Sequence, residues 1–304
     1  MDAFEVTILG CSSALPAFGR FPSSQLVHVA GRFFLVDCGE GTQMQLRRYS
    51  LKFQRISHIF ISHLHGDHYL GLPGLLSSMH LLGRTEPLDI YAPAGLKEIL
   101  DVNHLHSESF LRYPLHFHAH DFSAPALIFD DNKVKVHTLI LKHSIACCGF
   151  VFEEKERPRK LVKEKLIEYN VTVSAMESLK NGEDYKTAEG TIIPNREMTT
   201  DPLPVRKYAY CSDTVYTEDI IPDIKDADLI YHEATFMEDM KDRARQTMHS
   251  TATDAAKIAK AANAKKLIIS HFSARYKDLA PLLNEARNVF QETYLANEGE
   301  KIQL

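Results

Sequence analysis

The chain has 304 residues, enough for one large domain or two small ones, and its 44% hydrophobic and 25% charged residues are the balance of a folded globular protein. No apolar run approaches the roughly 18 residues that span a bilayer, and the start, MDAFEVTILG, reads as a strand and not as a basic-then-apolar export signal, so no membrane is involved and a cytoplasmic location is expected. A net charge of −5 excludes the global positive field of many nucleic-acid binders, and five scattered cysteines with no C-x-x-C pair exclude a disulfide framework.

Taken in chain order, VTIL (6–9), QLVHV (25–29) and FFLVD (33–37) read as strands between Gly- and Pro-containing turns. GEGTQMQLRRYS then opens a short helix after a glycine-rich turn. HIFISH (58–63) is a nearly continuous apolar run, the mark of a strand buried on both faces. A His-rich loop and a helical stretch precede the strand-like LDIYA (88–92). LIFD (127–130), VKVHTLIL (134–141) and CCGFVFEE (147–154) are further strands. From 155 to 204 the texture turns polar, with four of the thirteen prolines and a helical segment, LVKEKLIEYN, that lacks an apolar stripe. This stretch is expected to be an inserted arm on a single domain spanning 1–304. The core pattern resumes with KYAYCSD (207–213), DLIYHEA (228–234), a helix from Thr253 to Ala262, and KLIISHF (266–272). Strands interleaved with helices throughout predict a layered α/β fold with large sheets.

Sixteen histidines are the unusual feature, and their placement carries the chemistry. In Ser62-His63-Leu64-His65-Gly66-Asp67-His68, three imidazoles and a carboxylate follow a buried strand within a few residues. His63 and His65 converge from an extended backbone, and Gly66 lets the chain turn so that Asp67 and His68 face the same space. Four ligands this close crowd a single ion and favour two. His143, Asp213 and His271 each stand just past a strand, and ligands from strand ends far apart in sequence build a rigid site on one sheet edge. Alone, each would read as a cap or turn residue; with the first cluster they fit a two-metal centre. A second set, His104, His106, His116, His118 and His120, reads instead as a polar sheet edge or interface, the last three sharing one strand face.

H-x-H-x-D-H followed by a distant His, Asp and His resembles the metallo-β-lactamase superfamily. Within it, YHEAT (231–235), MHSTA (248–252) and SHFSARY (270–276) resemble the ribonuclease Z family of tRNA 3′-processing endonucleases. The resemblance covers the chain outside the arm. It implies a four-layer αβ/βα sandwich, a homodimer, precursor tRNA as substrate and two zinc ions per subunit, with Mn or Co as substitutes. His63, His65 and His143 would hold one zinc, and Asp67, His68 and His271 the other, with Asp213 bridging. Two metals lower the pKa of bound water to about 7 and supply a nucleophile for attack on the phosphodiester. Asp67 would act as general base, and His249, held by Glu233, would protonate the leaving oxygen. On the residues alone, HEAT also reads as a strand-to-helix transition, and HST as a helix N-cap through Ser250, Thr251 or Thr253. The alternative within the fold is a metal-dependent hydrolase of small molecules, such as a phosphodiesterase.

In KERPRKLVKEKL (155–166), six Lys or Arg face two Glu. Arg157, Arg159, Lys160 and Lys163 are therefore candidate phosphate contacts on a flexible arm, which in the family grips the tRNA elbow. The family's usual Gly-Pro-rich element is not evident in this arm. Many relatives also carry a P-x-K-x-R-N loop after the first strand. Here Pro16 and Arg20 are kept, but Phe18 and Phe21 replace the lysine and asparagine. An aromatic there suits either stacking on an unpaired base or core packing.

Overall fold

A computed structural model describes residues 3–108 and 110–304. The chain divides into two compact units, Met1–Glu153 with Arg206–Leu304, and Glu154–Val205. In chain order the first unit contains β1 (Phe4–Gly10), β2 (Ser24–Val29), β3 (Arg32–Cys38), β4 (Ile56–Phe60), β5 (Leu88–Ala92), β6 (Leu115–Ala119), β7 (Leu127–Asp130), β8 (Val134–Leu141) and β9 (Cys147–Glu154). Four two-residue strands follow in the second unit: β10 (Lys160–Leu161), β11 (Tyr185–Lys186), β12 (Ile192–Ile193) and β13 (Thr199–Thr200). The first unit resumes with β14 (Lys207–Cys211), β15 (Leu229–Glu233), β16 (Leu267–Ser270), β17 (Thr293–Leu295) and β18 (Lys301–Gln303).

The first unit is built on two seven-stranded sheets, ordered β18-β1-β2-β3-β4-β5-β6 and β17-β16-β15-β14-β9-β8-β7. In each, an antiparallel part adjoins a parallel run, β3 to β6 in one and β14 to β17 in the other. Side chains alternate across β3 because a strand repeats every second residue. Phe34 and Val36 enter the core between the sheets, beside Phe60, Phe150, Phe152, Tyr208 and Tyr210. Leu35 points the other way, into a second core with Ile59, Ile90, Leu75, Leu76, Leu96 and Leu100 from two flanking helices. Both faces of β3 are thus covered, which is why FFLV reads as a continuous apolar run. The second sheet is covered in turn by helix Ala252–Ala261, which packs on β15, β16 and helix Ala280–Arg287.

Local differences from the sequence expectation lie mostly at element ends. β4 stops at Phe60, so His63 stands beyond the strand, and Asp67 and His68 belong to a single helical turn, Gly66–Tyr69. The helix expected from Thr253 begins at Ala252. Thr251 caps it, its Oγ1 accepting from Asp254 N at 3.1 Å while Asp254 Oδ2 accepts in turn from Thr251 N at 3.3 Å. Among the described residues no helix is long and apolar enough to cross a membrane.

The second unit has its own small core of Val171, Leu179 and Met198. Helices Lys163–Glu168 and Val173–Lys180 flank two short ribbons, β10 with β13 and β11 with β12. Buried Asn195 ties them together, its Nδ2 donating to the carbonyls of Leu179 at 2.8 Å and Glu183 at 2.7 Å.

Candidate metal centre

The site gathers where strands of both sheets end. His63, His65, Asp67 and His68 follow β4; His143 follows β8; Asp213 follows β14; Glu233 closes β15; His271 follows β16. Open α/β sheets present ligands at the carboxyl ends of their strands for the same reason. Two glycines let the pieces approach. A Cβ on Gly39 would meet the Asp67 carbonyl oxygen at 2.4 Å, and one on Gly71 would meet the Gly39 carbonyl oxygen at 2.1 Å. Asp37, Met248 and His271 adopt left-handed backbone at φ 54°, 58° and 60°, a conformation unusual for non-glycine residues.

Two donor groups result. In one, His63 Nε2 and His143 Nε2 lie 3.1 and 3.0 Å from His65 Nδ1, with Asp213 Oδ2 3.7 and 3.8 Å from the first two. In the other, Asp67 Oδ2 is 3.4 Å from His68 Nε2 and 3.2 Å from His271 Nε2, and Asp213 reaches the same two nitrogens at 3.5 and 3.3 Å. Within each group the ligand atoms all lie within 4.8 Å of one another, and Asp213 belongs to both.

The hydrogen bonds behind these rings leave bare nitrogens facing inward. His68 donates from Nδ1 to Asp37 at 2.7 Å, and His143 from Nδ1 to the Met248 carbonyl at 2.9 Å. Ser62 Oγ gives its proton to Asp37 at 2.9 Å, so it accepts from His63 Nδ1 at 3.0 Å. The Nε2 atoms of His63 and His143 therefore carry lone pairs, and one proton on His65 cannot serve both. Burial, reinforced by the neighbouring His68, His143 and His65, pushes His63 well below the ordinary histidine range, which keeps it in the neutral form that metals bind. Among the described residues, buried His68 Nε2 and Asp213 Oδ1 have no hydrogen-bond partner. Converging lone pairs and orphaned buried atoms fit a cation in each group.

Asp37 is the organising residue that the motif reading passes over. Fully buried, it accepts from Ser62 N, Ser62 Oγ, His68 Nδ1 and Tyr210 OH at 2.5 to 2.9 Å. The strand-end signal that selects Asp213 applies equally to the last residue of FFLVD.

Beside the donor groups, His249 Nδ1 donates to Glu233 Oε1 at 2.8 Å. Burial lowers the His249 pKa, but the Glu233 charge and hydrogen bond outweigh it and raise the value to about 9. Glu233 is fully buried, which would raise its pKa; the His249 charge and hydrogen bond bring it below the usual value. A cavity of about 420 Å³ opens over this arrangement, lined by His65, Asp67, Asp213, His249, His271 and Ser273 among others. The HEAT segment thus runs from the last two residues of β15, His232 and Glu233, into the loop that follows, and Thr251, two residues past His249, caps the next helix.

The other expected residues belong to neither donor group. Arg157, Arg159, Lys160 and Lys163 belong to the second unit. There Arg157 pairs with Glu154 at 2.8 Å and Arg159 with Asp201 at 2.6 Å, while Lys160 and Lys163 are exposed. His104 and His106 sit on helix Gly95–His106. His116 and His118 lie on edge strand β6, 3.5 and 2.7 Å from Asp89 of β5, a carboxylate partner that strand reading missed because it comes from the neighbouring strand. Phe21 packs against Gly41, whereas Phe18 is 54% exposed with the Arg20 guanidinium 5.2 Å from its ring centroid.

This sandwich and its edge define a metallo-β-lactamase fold. A protein of that fold from Bacillus subtilis, YhfI, superposes with a TM-score of 0.70 at 20% identity over all of both chains. The family model described as anti-Pycsar protein Apyc1 matches residues 4–142. Ribonuclease Z of Bacteroides thetaiotaomicron is 50% identical over 98% of this chain and 95% of its own length, and that of Porphyromonas gingivalis 47% over all of both. Human tRNase Z, short form, matches with a TM-score of 0.71 at 30% identity over 98% of each chain. The chain belongs to the ribonuclease Z family.

Proposed function

We propose that this protein is a zinc-dependent tRNA 3′-processing endoribonuclease that removes the 3′ trailer from precursor tRNA and leaves a 3′-hydroxyl. The observation that carries the reading is the Glu233–His249 pair beside two cation-fitting groups, in a chain related to ribonuclease Z along its full length. His63, His65 and His143 would hold one ion and Asp67, His68 and His271 the second, with Asp213 shared; zinc suits these N and O donors, and Mn or Co could substitute. When bound, the ions polarise phosphate oxygens and lower the pKa of water to about 7.

The chain's own residues handle the protons. Burial would raise the Asp67 pKa, but the neighbouring imidazoles of His68 and His271 outweigh it and hold the carboxyl far below the usual carboxylate range. It is therefore ionised and takes a proton from the attacking water as the O–P bond forms. His249, charged at neutral pH, hydrogen bonds to Glu233 through Nδ1 and gives the proton of its other nitrogen to the departing O3′ as the P–O3′ bond breaks. Glu233 keeps that ring oriented. The phosphate stays on the trailer.

Family membership supports a cytoplasmic homodimer, and the basic segment supports an exosite role for residues 155–204, with Arg157, Arg159, Lys160 and Lys163 as phosphate contacts. The test is an end-labelled precursor tRNA incubated with the protein, with a chelator, and with Asp67→Ala. A metal-dependent cut after the discriminator position, lost in the variant, is the expected result. The alternative within the fold is a metal-dependent phosphodiesterase of small molecules. Hydrolysis of a small chromogenic phosphodiester with precursor tRNA left intact would choose it.

A further inference from the structure

The hydroxyl of Thr235 stands between the two halves of the centre. Its Oγ1 lies 2.6 Å from Glu233 Oε2 and 2.8 Å from His271 Nδ1, and the residue is buried. A hydroxyl has one proton to give and lone pairs to accept with. Glu233 already receives amide N–H groups on both oxygens, from Thr214 at 2.9 Å and from Thr235 itself at 3.3 Å, so it is the acceptor and takes the hydroxyl proton. Only lone pairs then remain on Oγ1, and His271 must donate to them from Nδ1. Its Nε2 is left bare, and that is the atom facing Asp67 Oδ2 at 3.2 Å and Asp213 Oδ1 at 3.3 Å. His68 and His143 are fixed by groups that can only accept, a carboxylate and a carbonyl. The Thr235 hydroxyl can point either way, and it fixes His271 because Glu233 claims its proton.

We infer that Thr235 is a positioning residue that sets the tautomer of His271 and ties the cation-binding half of the centre to the Glu233–His249 pair. The inference rests on reading His271 as a cation ligand. Without the hydroxyl, His271 is free to carry its proton on Nε2, where it meets an incoming cation. Removing such a partner of a metal-bound histidine weakens metal affinity by roughly 10- to 100-fold.

The experiment compares Thr235→Val, nearly isosteric but without the hydroxyl, with Thr235→Ser, which keeps it. Metal-stripped proteins are titrated with Zn²⁺ against a chromogenic chelator, and the His271 ring nitrogens are followed by ¹⁵N NMR. One of the two zinc affinities should fall in Thr235→Val by roughly 10- to 100-fold. A protected Nδ1–H on His271 should disappear with it, and Thr235→Ser should restore both. For precursor tRNA, kcat should fall in Thr235→Val while KM holds. Wild-type zinc affinity in a folded Thr235→Val protein overturns the inference. If that variant does not fold by circular dichroism, a bare Nδ1 on His271 in the metal-free parent overturns it equally. A parent protein that binds zinc with Nδ1 protonated but leaves precursor tRNA uncut refutes the proposed function and leaves the role of Thr235 standing.

Discussion

At His249 a buried carboxylate competes with burial itself, and the carboxylate wins. The folded value of about 9 against an ordinary 6.5 means that the folded state binds the proton more tightly than the unfolded one. The linked stability is fully present below pH 6.5 and is lost as pH rises through about 9, on the order of 3 kcal/mol in the metal-free protein. NMR titration of the metal-free protein should place the His249 midpoint near 9, and Glu233→Gln should move it toward 6.5 and flatten the alkaline loss of stability. An unmoved midpoint would show that another charge holds the proton. In the first donor group, His65→Ala removes the nitrogen that His63 and His143 both face, so zinc titration should lose an ion and cleavage should cease. The histidines of the two donor groups were legible because they cluster, or follow apolar strands, in a repeating pattern. Asp37 ends an apolar strand much as Asp213 follows one, but it stands apart in sequence from the histidine cluster and was not singled out, and Thr235 has no pattern of its own; what selects them is which rings the fold turns toward them.

The elements carry the site through backbone contacts that leave no room for side chains. Gly71 approaches the Gly39 carbonyl, and Gly39 approaches that of Asp67, so the turn Gly66–Tyr69 is stacked on the end of β3. Gly71→Ala should displace Asp67 and His68 together, at a cost of roughly 1–3 kcal/mol for overpacking. Zinc affinity should drop more than melting temperature does; the reverse would mean that the turn adjusts freely. Thr251→Ala, which removes a capping box from Ala252–Ala261, should cost about 1 kcal/mol of stability and leave zinc binding intact. Most strands were readable from their apolar runs, because burial on both faces demands such runs. Helix Gly95–His106 was not: it buries only Leu96 and Leu100, while Val102 and Leu105 face solvent and blur the helical period. Edge strands β17 and β18 are three residues each, too short for a period-two signal.

For the whole molecule, the question is whether binding and chemistry can be separated. The chain leaves the first unit after Glu153 and re-enters it at Arg206. Glu153 lies opposite Lys207 in the antiparallel pair of β9 and β14, so a short turn can rejoin these strands in register. None of the residues of the two donor groups, nor Glu233 or His249, lies between 154 and 205, and among the described residues the segment's core draws only on residues within it. Replacing 155–204 by a two-residue turn should therefore leave zinc uptake and hydrolysis of a small chromogenic phosphodiester near the parent level. Cleavage of precursor tRNA should behave differently, because contacts remote from the reacting phosphorus contribute through substrate binding. Its KM should rise, and its salt dependence should weaken as phosphate contacts are lost. Unchanged KM and salt dependence would remove the exosite role from this segment and assign tRNA recognition to the catalytic unit, where exposed Phe18 on the loop after β1 becomes the next residue to test.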